Sequence, residues 1–335
     1  RQGGAKTACK WGWDGDFCKQ YGFTSLDLNF TDFLNVADVS FAKEELEKCG
    51  HEVFLLGNAQ QMIYNLNQNI SVDLVFNLAW GYRGRNREGL IPAILEGYGI
   101  AHTGTDSYGC SLCLDKIQTK LIANFLKIPT PNFFCVTKDT WNQFKDASPL
   151  PFPIVMKPSS EGTGMGVTLI SSDAEYRHTL DRLRLLYPDE PILCETYIKG
   201  DEVTVPMLEN EQGLYAVGVL SILDAKGKPI ELYDANIKTS HTYQKRLSTL
   251  PREVNEAVES YSCRLYAFLQ GQGYGRADFR IAEDGTPYFL EMAPLPLLAP
   301  YSSFNLCTSL KGMSNEEVFQ QIIQAACRRY KIVSG

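Results

Sequence analysis

The stretch GRADFRIAEDGTPYFLEMAP, residues 275–294, carries two alternating β-prone runs on either side of Asp284-Gly285. Asp-Gly is a favoured two-residue loop of a tight β-hairpin, because both central positions take positive φ. Counting outward from that loop sets Asp278 directly opposite Glu291 and Arg276 opposite Ala293, all on one face of the ribbon. Two carboxylates with Cβ atoms roughly 5 Å apart repel unless a positive group lies between them. A hard cation such as magnesium, ligated by carboxylate and phosphate oxygens, meets that need. The competing reading is a solvated surface hairpin whose acids point to water, and the rest of the chain decides between the two.

At 335 residues the chain is too long for one ordinary core and is expected to form two or three domains. Its net charge of -7 gives no general attraction to nucleic acid or to an anionic membrane. The only dense basic segment, residues 82–87, is too short and mixed to be a nucleic-acid patch. No apolar run approaches the roughly 20 residues that span a bilayer, and no signal-peptide pattern opens the sequence, so a cytoplasmic protein is expected. The ten cysteines are scattered rather than arranged as a disulfide framework. Cys110 and Cys113 have CxxC spacing, but no second pair completes a zinc site, and core packing on a shared helical face is favoured over metal or redox chemistry. The histidines at 51, 102, 178 and 241 carry no catalytic signal.

Short apolar runs alternate with helical patterns, the mark of an α/β chain. A helix over 40–49, strands over 52–56 and 73–79 and a helix over 88–98 predict a βαβ-type N-terminal domain, with residues 1–38 unplaced. Asp115 is expected to cap a helix from Lys116 that ends at the Pro129 and Pro131 step. Strands are expected over 133–136, 154–157, 192–197, 202–208, 215–223 and 230–233, and helices over 171–186, 254–269 and 315–329. Domain boundaries are expected near 105 and 194, giving segments 1–105, 106–194 and 195–335.

Between two of these strands lies PSSEGTGMGV, residues 158–167, whose alternating glycines can bring backbone N–H groups close to a phosphate while Lys157 adds a point charge. It is no Walker A loop, since no GK[ST] follows, and such turns also occur for steric reasons alone. Glu195 and Glu202 bracket a turn-like connection, with surface solvation as the simpler alternative.

The succession resembles the ATP-grasp superfamily, in its D-alanine–D-alanine ligase-like branch. It runs from Leu114-Asp115-Lys116 and Ile128 to Pro131, through Lys157 and its glycine loop, Glu195 to Glu202 and Lys238, to Arg276, Asp278 and Glu291. The resemblance covers about residues 40–330 and rests on order rather than on any one motif. It implies an ATP-grasp fold, α/β with an α+β C-terminal part, and a ligase joining small-molecule carboxylate and amine substrates, with homodimers frequent. ATP phosphates are implied on Lys116, Lys157 and the loop of Glu161, Gly162, Thr163, Gly164 and Gly166. Adenine is implied near Glu195 and Ile198, ribose on Glu202, and Mg2+ or Mn2+ on Asp278 and Glu291. Lys238 and Arg276 take catalytic roles. A substrate carboxylate attacks the γ-phosphorus, and an amine then displaces phosphate.

The chain departs from the family pattern in telling places. Glu291-Met292-Ala293 replaces Glu-x-Asn, Leu297 replaces a glycine, and Trp80-Gly81 and Lys238-Thr239 replace the His-Gly and Lys-Tyr of D-alanine–D-alanine ligases. Amino acids other than D-alanine are therefore open as substrates. Arg85 and Arg87 are candidates for a substrate carboxylate, and Ser302 or Ser303 for the second substrate. The alternatives are a nucleotide-binding pseudoenzyme and a ligase using a non-amino-acid amine.

Overall fold

The computed structural model describes residues 36–68, 70–82, 84–240 and 242–332. Expectations placed on residues 1–35, Arg83 and His241 lie outside the described residues.

The N-terminal part holds helices α1 (Val36–Lys48), α2 (Ala59–Asn67) and α3 (Leu90–Tyr98). Asn58 caps α2 by accepting from the N–H groups of Gln60 and Gln61, and Gln61 returns the bond to complete a capping box. Met62 and Leu66 of α2 pack against Ile91 and Leu95 of α3. The strands expected over 52–56 and 73–79 are corrected. Residues 52–56 form no ladder among the described residues, and 73–79 contributes one parallel bridge, Val75 with His102. Val75 N donates to Ala101 O and Thr103 N donates to Val75 O. An apolar extended run becomes a strand only where another backbone lies beside it.

Two helices lead into the first sheet. In α4 (Ser107–Leu114) Cys110 and Cys113 are buried, as packing residues should be. Asp115 caps α5 (Lys116–Phe125) as expected, accepting from Ile117 N and Gln118 N. Strand β1 (Phe133–Val136), helix α6 (Trp141–Phe144), strands β2 (Ile154–Pro158) and β3 (Thr168–Ile170), helix α7 (Asp173–Leu186) and strand β4 (Ile192–Thr196) follow. The four strands form an antiparallel sheet in the order β1-β4-β2-β3. Tyr176, Leu180 and Leu183 of α7 cover it, packing with Ile154, Met156, Ile170 and Cys194.

The second sheet takes its strands from β5 (Gly200–Asn210), β6 (Gly213–Ala216), β7 (Leu220–Asp224), β8 (Tyr243–Leu247), β9 (Tyr274–Ala282) and β10 (Pro287–Ala293). Helix α8 (Ala235–Ser240) precedes β8 and α9 (Arg252–Phe268) follows it, while α10 (Ser303–Leu310) and α11 (Asn315–Tyr330) close the chain. The strand order is β10-β9-β5-β7-β8, with β6 paired to β5. Two expectations are corrected here. The strand over 215–223 breaks into β6 and β7, and 230–233 is not a strand. The carbonyls of Ile230 and Glu231 instead accept from the Arg280 guanidinium, so a side chain supplies the partner that a ladder would have.

The deciding hairpin reaches its register by a route other than the expected one. Gly285 N donates to Ala282 O and Ala282 N to Thr286 O, closing a three-residue loop in which only Gly285, at φ +86°, is left-handed. Phe289 therefore pairs with Phe279, one place away from the two-residue count. An irregularity between Phe289 and Glu291 then inserts one residue and restores the pairing of Glu291 with Asp278 and Ala293 with Arg276. The two departures cancel.

That bulge also sorts the faces. Phe289 and Met292 both enter the core, while Leu290 and Glu291 both line the opposite cleft. On β5 and β9 the strict period of two does the same, sending Val203, Val205, Ala277, Phe279 and Ile281 into the core beneath α9 and α5. Glu202, Arg276, Asp278 and Arg280 occupy the other face. Phe279 and Phe289 are fully buried and meet edge to face with centroids 5.7 Å apart, so truncating either to alanine is expected to cost ~3–5 kcal/mol.

Candidate active site

The cleft lies between the two sheets. Its lining includes Lys116, Lys157, Glu161, Gly164, Glu195, Ile198, Glu202, Lys238, Asp278 and Glu291, so most of the residues singled out from sequence meet on one surface. The connection from β4 to β5 forms its back, with Thr196, Tyr197 and Ile198 beside the apolar side chains of Val155, Leu232 and Leu290.

At the hinge, Val155 pairs with Glu195 across β2 and β4, which places Lys157, two residues on, diagonally across the same face. Lys157 Nζ lies 2.5 Å from Glu195 Oε1, and Lys120 Nζ, from α5, lies 2.7 Å from Oε2. Burial presses the Glu195 carboxyl upward, but Lys120 and Lys157 outweigh it and hold it below its ordinary range. Burial likewise lowers Lys120, to about 8, against the pull of Glu195. Lys157 stays above its ordinary value because Glu195 and Glu291 overcome its desolvation.

Across the cleft, Asp278 accepts two bonds from Arg276, at 3.0 and 2.8 Å, and a third from Thr204 Oγ1 at 2.5 Å. Arg276 also lies 4.0 Å from Glu291, and Lys116 Nζ lies 3.3 Å from Glu291 Oε2. Despite burial, Lys116, Lys238, Lys157 and Arg276 hold the Glu291 carboxyl well below the usual range. Glu291 is therefore ionised and ready to ligate. Asp278 and Glu291 supply hard oxygens on one face, which fits a divalent cation whose other positions are filled by phosphate and water oxygens. Ala293 offers none. Among the described residues no group of three or more His, Cys, Asp or Glu side chains could hold an ion, and on this face the offer is the pair Asp278 and Glu291.

The glycine loop roofs the cleft. Lys116 Nζ donates to Glu161 O at 2.5 Å, and Asp115 accepts from Ser159 Oγ at 2.9 Å, tying the start of α5 to the loop. Thr163, Gly164 and Gly166 are all left-handed, at φ +53°, +80° and +70°. A Cβ on Gly164 would stand 2.8 Å from Ala235 N and from Asp234 C, so the loop approaches the start of α8 closely enough to require glycine. Lys238 rises from α8 and lies 4.5 Å above the Tyr233 ring. Burial, opposed by Arg87 and reinforced by Glu190, pushes the Glu161 carboxyl up to about 7.

The four residues expected at the substrate are placed differently from one another. Arg87 is buried, donating to Ser160 O at 2.5 Å and lying 3.6 Å from Glu161 Oε2, so it ties the N-terminal part to the glycine loop. Arg85 is exposed, 3.6 Å from Asp115 Oδ2. Ser302 caps α10, accepting from Asn305 N at 3.0 Å, and Ser303 begins that helix. None of the four is in the cleft lining that holds the lysines and carboxylates.

Two residues of the site escaped sequence reading. Lys120 follows Lys116 by four positions, the spacing that puts two residues on one helical face, and that was its only signal. Arg280 follows Asp278 by two and so shares its face. It donates to Glu202 at 3.2 Å and to the carbonyls of Gly200, Ile230 and Glu231. Burial raises the Glu202 carboxyl above its ordinary value, with Arg280 opposing it most strongly.

The sequence profile of the D-ala D-ala ligase C-terminus matches residues 122–324. A D-alanine–D-alanine ligase of Thermotoga petrophila is 32% identical over 290 residues, covering 85% of this chain and 89% of that protein. The crystal structure of the D-alanine–D-alanine ligase from Bacillus anthracis complexed with ATP matches the fold with a TM-score of 0.70 at 22% identity, covering 90% of this chain and 96% of that one. The VanG D-Ala:D-Ser ligase of Enterococcus faecalis matches with a TM-score of 0.64 at 21% identity, covering 77% and 74%. Among the described residues no helix is long and apolar enough to cross a membrane. Fold, ordered lysines and facing carboxylates agree with these likenesses: the chain belongs to the D-alanine–D-alanine ligase family of ATP-grasp ligases.

Proposed function

We propose that the protein joins a carboxylate to an amine on amino-acid substrates, making a peptide or amide bond through an acyl phosphate and releasing ADP and phosphate. The observation that carries this reading is the set of three ammonium groups, Lys116, Lys157 and Lys238, on the same cleft as Asp278 and Glu291. That pattern suits a polyphosphate with a chelated cation.

Adenine lies against the hinge at Thr196 to Ile198, between Val155, Leu232 and Leu290, and the ribose hydroxyls donate to Glu202. Lys116, Lys157 and Lys238 hold the phosphates beneath the loop of Glu161, Gly162, Thr163, Gly164 and Gly166. Magnesium or manganese on Asp278 and Glu291 supplies charge neutralisation at the β- and γ-phosphates. An oxygen of the substrate carboxylate bonds to the γ-phosphorus as ADP leaves. The amine nitrogen then attacks the acyl carbon, and inorganic phosphate departs. Arg276 faces the reacting group and stabilises its developing negative charge, an effect of ~3 kcal/mol.

Ala293 favours a second reading, a nucleotide-binding protein without turnover. A coupled ADP-release assay over pairs of D- and L-amino acids, with mass spectrometry of the products, separates the two. A ligase sustains ADP release over many turnovers only with both substrates present, because the acyl phosphate waits for the amine. ATP-dependent thermal stabilisation without ADP release from any pair would refute the ligase and leave the binder. With non-amino-acid amines added to the panel, incorporation of one of them into the product would redirect the substrate assignment.

A further inference from the structure

Lys120 is fully buried and stands outside the cleft lining, so it has no route to a ligand. Its ammonium is nevertheless at the junction of the molecule. It donates to Thr130 Oγ1 at 2.9 Å and to Phe289 O at 3.2 Å, and it faces Glu195 at 2.7 Å. Those partners belong to the segment between α5 and β1, to the hairpin of the larger sheet that carries Asp278 and Glu291, and to the hinge strand of the smaller one. Glu195 presents one carboxylate oxygen to Lys120 and the other to Lys157.

The charges of this cluster do not cancel. Lys157 and Glu195 alone form a neutral pair, in which a buried carboxylate 2.5 Å away would cancel most of the field that Lys157 sends into the cleft. With Lys120 on the far oxygen the trio carries one net positive charge, and the surplus is expressed at Lys157, the only one of the two ammonium groups that lines the cleft. We propose that Lys120 is a positioning residue whose engagement of Glu195 keeps the charge of Lys157 available to an anionic phosphate chain. The inference rests on the nucleotide-binding reading of the cleft and adds to it a residue that never touches the nucleotide.

The test is calorimetric titration of the full chain with three probes, ATP with magnesium, adenosine, and tripolyphosphate with magnesium, on Lys120→Met, Lys120→Arg, Glu195→Gln and the double variant Lys120→Met/Glu195→Gln. Lys120→Met is expected to weaken ATP and tripolyphosphate by about tenfold or more, one charged contact's worth, and adenosine by less than about threefold. Lys120→Arg keeps the charge and most of the affinity. In the double variant Lys157 faces a neutral amide, so tripolyphosphate affinity returns toward the wild type, whereas a purely structural Lys120 makes the two losses add. Should Lys120→Met not fold, Glu195→Gln decides: it should bind tripolyphosphate at least as tightly as the wild type, and weaker binding overturns the proposal. Unchanged ATP affinity in Lys120→Met, or equal losses of adenosine and ATP, overturns it as well. A wild type that binds neither ATP nor tripolyphosphate sinks the nucleotide reading and this inference together, whereas tight wild-type binding with an indifferent Lys120→Met sinks this inference alone.

Discussion

Replacing Arg280 by methionine should destabilise the protein more than any exposed charge could. Arg280 is 5% exposed and Glu202 12% exposed at its side chain, so their ion pair is screened from solvent. Breaking such a pair from one side costs ~3–5 kcal/mol, because a charge is left buried without its counterion. Gly200, Ile230 and Glu231 also lose the donor to their carbonyls. One process limits the loss. Burial already raises the Glu202 carboxyl, and without Arg280 it takes up a proton more readily, which recovers ~1.4 kcal/mol for every tenfold gain in proton affinity. The expected cost is therefore at the lower end, ~3 kcal/mol near neutral pH. It should shrink toward acid, because a carboxyl raised in the folded state stabilises below its unfolded value and loses that contribution as pH rises through the folded one. Urea unfolding at several pH values measures it as a midpoint shift at constant slope. Arg280→Met/Glu202→Gln, which removes the stranded charge, should recover about half of the loss. A single-variant effect below ~1 kcal/mol, or simple additivity in the double variant, would refute the view that this pair acts as a buried unit.

Three further outcomes are expected. Ala293→Asn places an amide oxygen opposite Arg276 and beside the two carboxylates, and should tighten magnesium binding by severalfold in titrations with a non-hydrolysable ATP analogue; an unchanged metal dependence would count against the hairpin as the metal site. With Glu161 pushed up to about 7 from its ordinary 4.5, its contribution to stability is fullest below about 4.5 and is lost as pH rises through about 7, so Glu161→Gln should flatten that part of a thermal pH profile. Gly164→Ala combines a left-handed φ with a Cβ 2.8 Å from the backbone of Asp234 and Ala235, and should weaken ATP-dependent thermal stabilisation by the equivalent of about tenfold in affinity.

Local chemistry was legible along the chain. Asp115 as a helix cap, the strand over 133–136 and the glycine loop follow from side-chain hydrogen bonding, aromatic and β-branched side chains, and positive φ, all properties of a few neighbouring residues. The order of lysines and acids pointed to an ATP-grasp ligase because order along the chain survives folding. Distance between segments does not follow from such rules. The facing of Asp278 and Glu291 was expected from a two-residue loop, yet it arises from a three-residue loop offset by a bulge at Leu290, and the bulge depends on Phe289 and Met292 both finding room in one core. Arg87 read as a candidate for a substrate carboxylate, but it is buried against Ser160 and Glu161, more than seventy positions away. Lys120 and Arg280 carried almost no local mark, since a buried lysine or arginine differs from an exposed one only in what the rest of the chain brings to it. Backbone preference is a short-range energy and can be read residue by residue, whereas desolvation and charge pairing are settled only when distant segments close on one another.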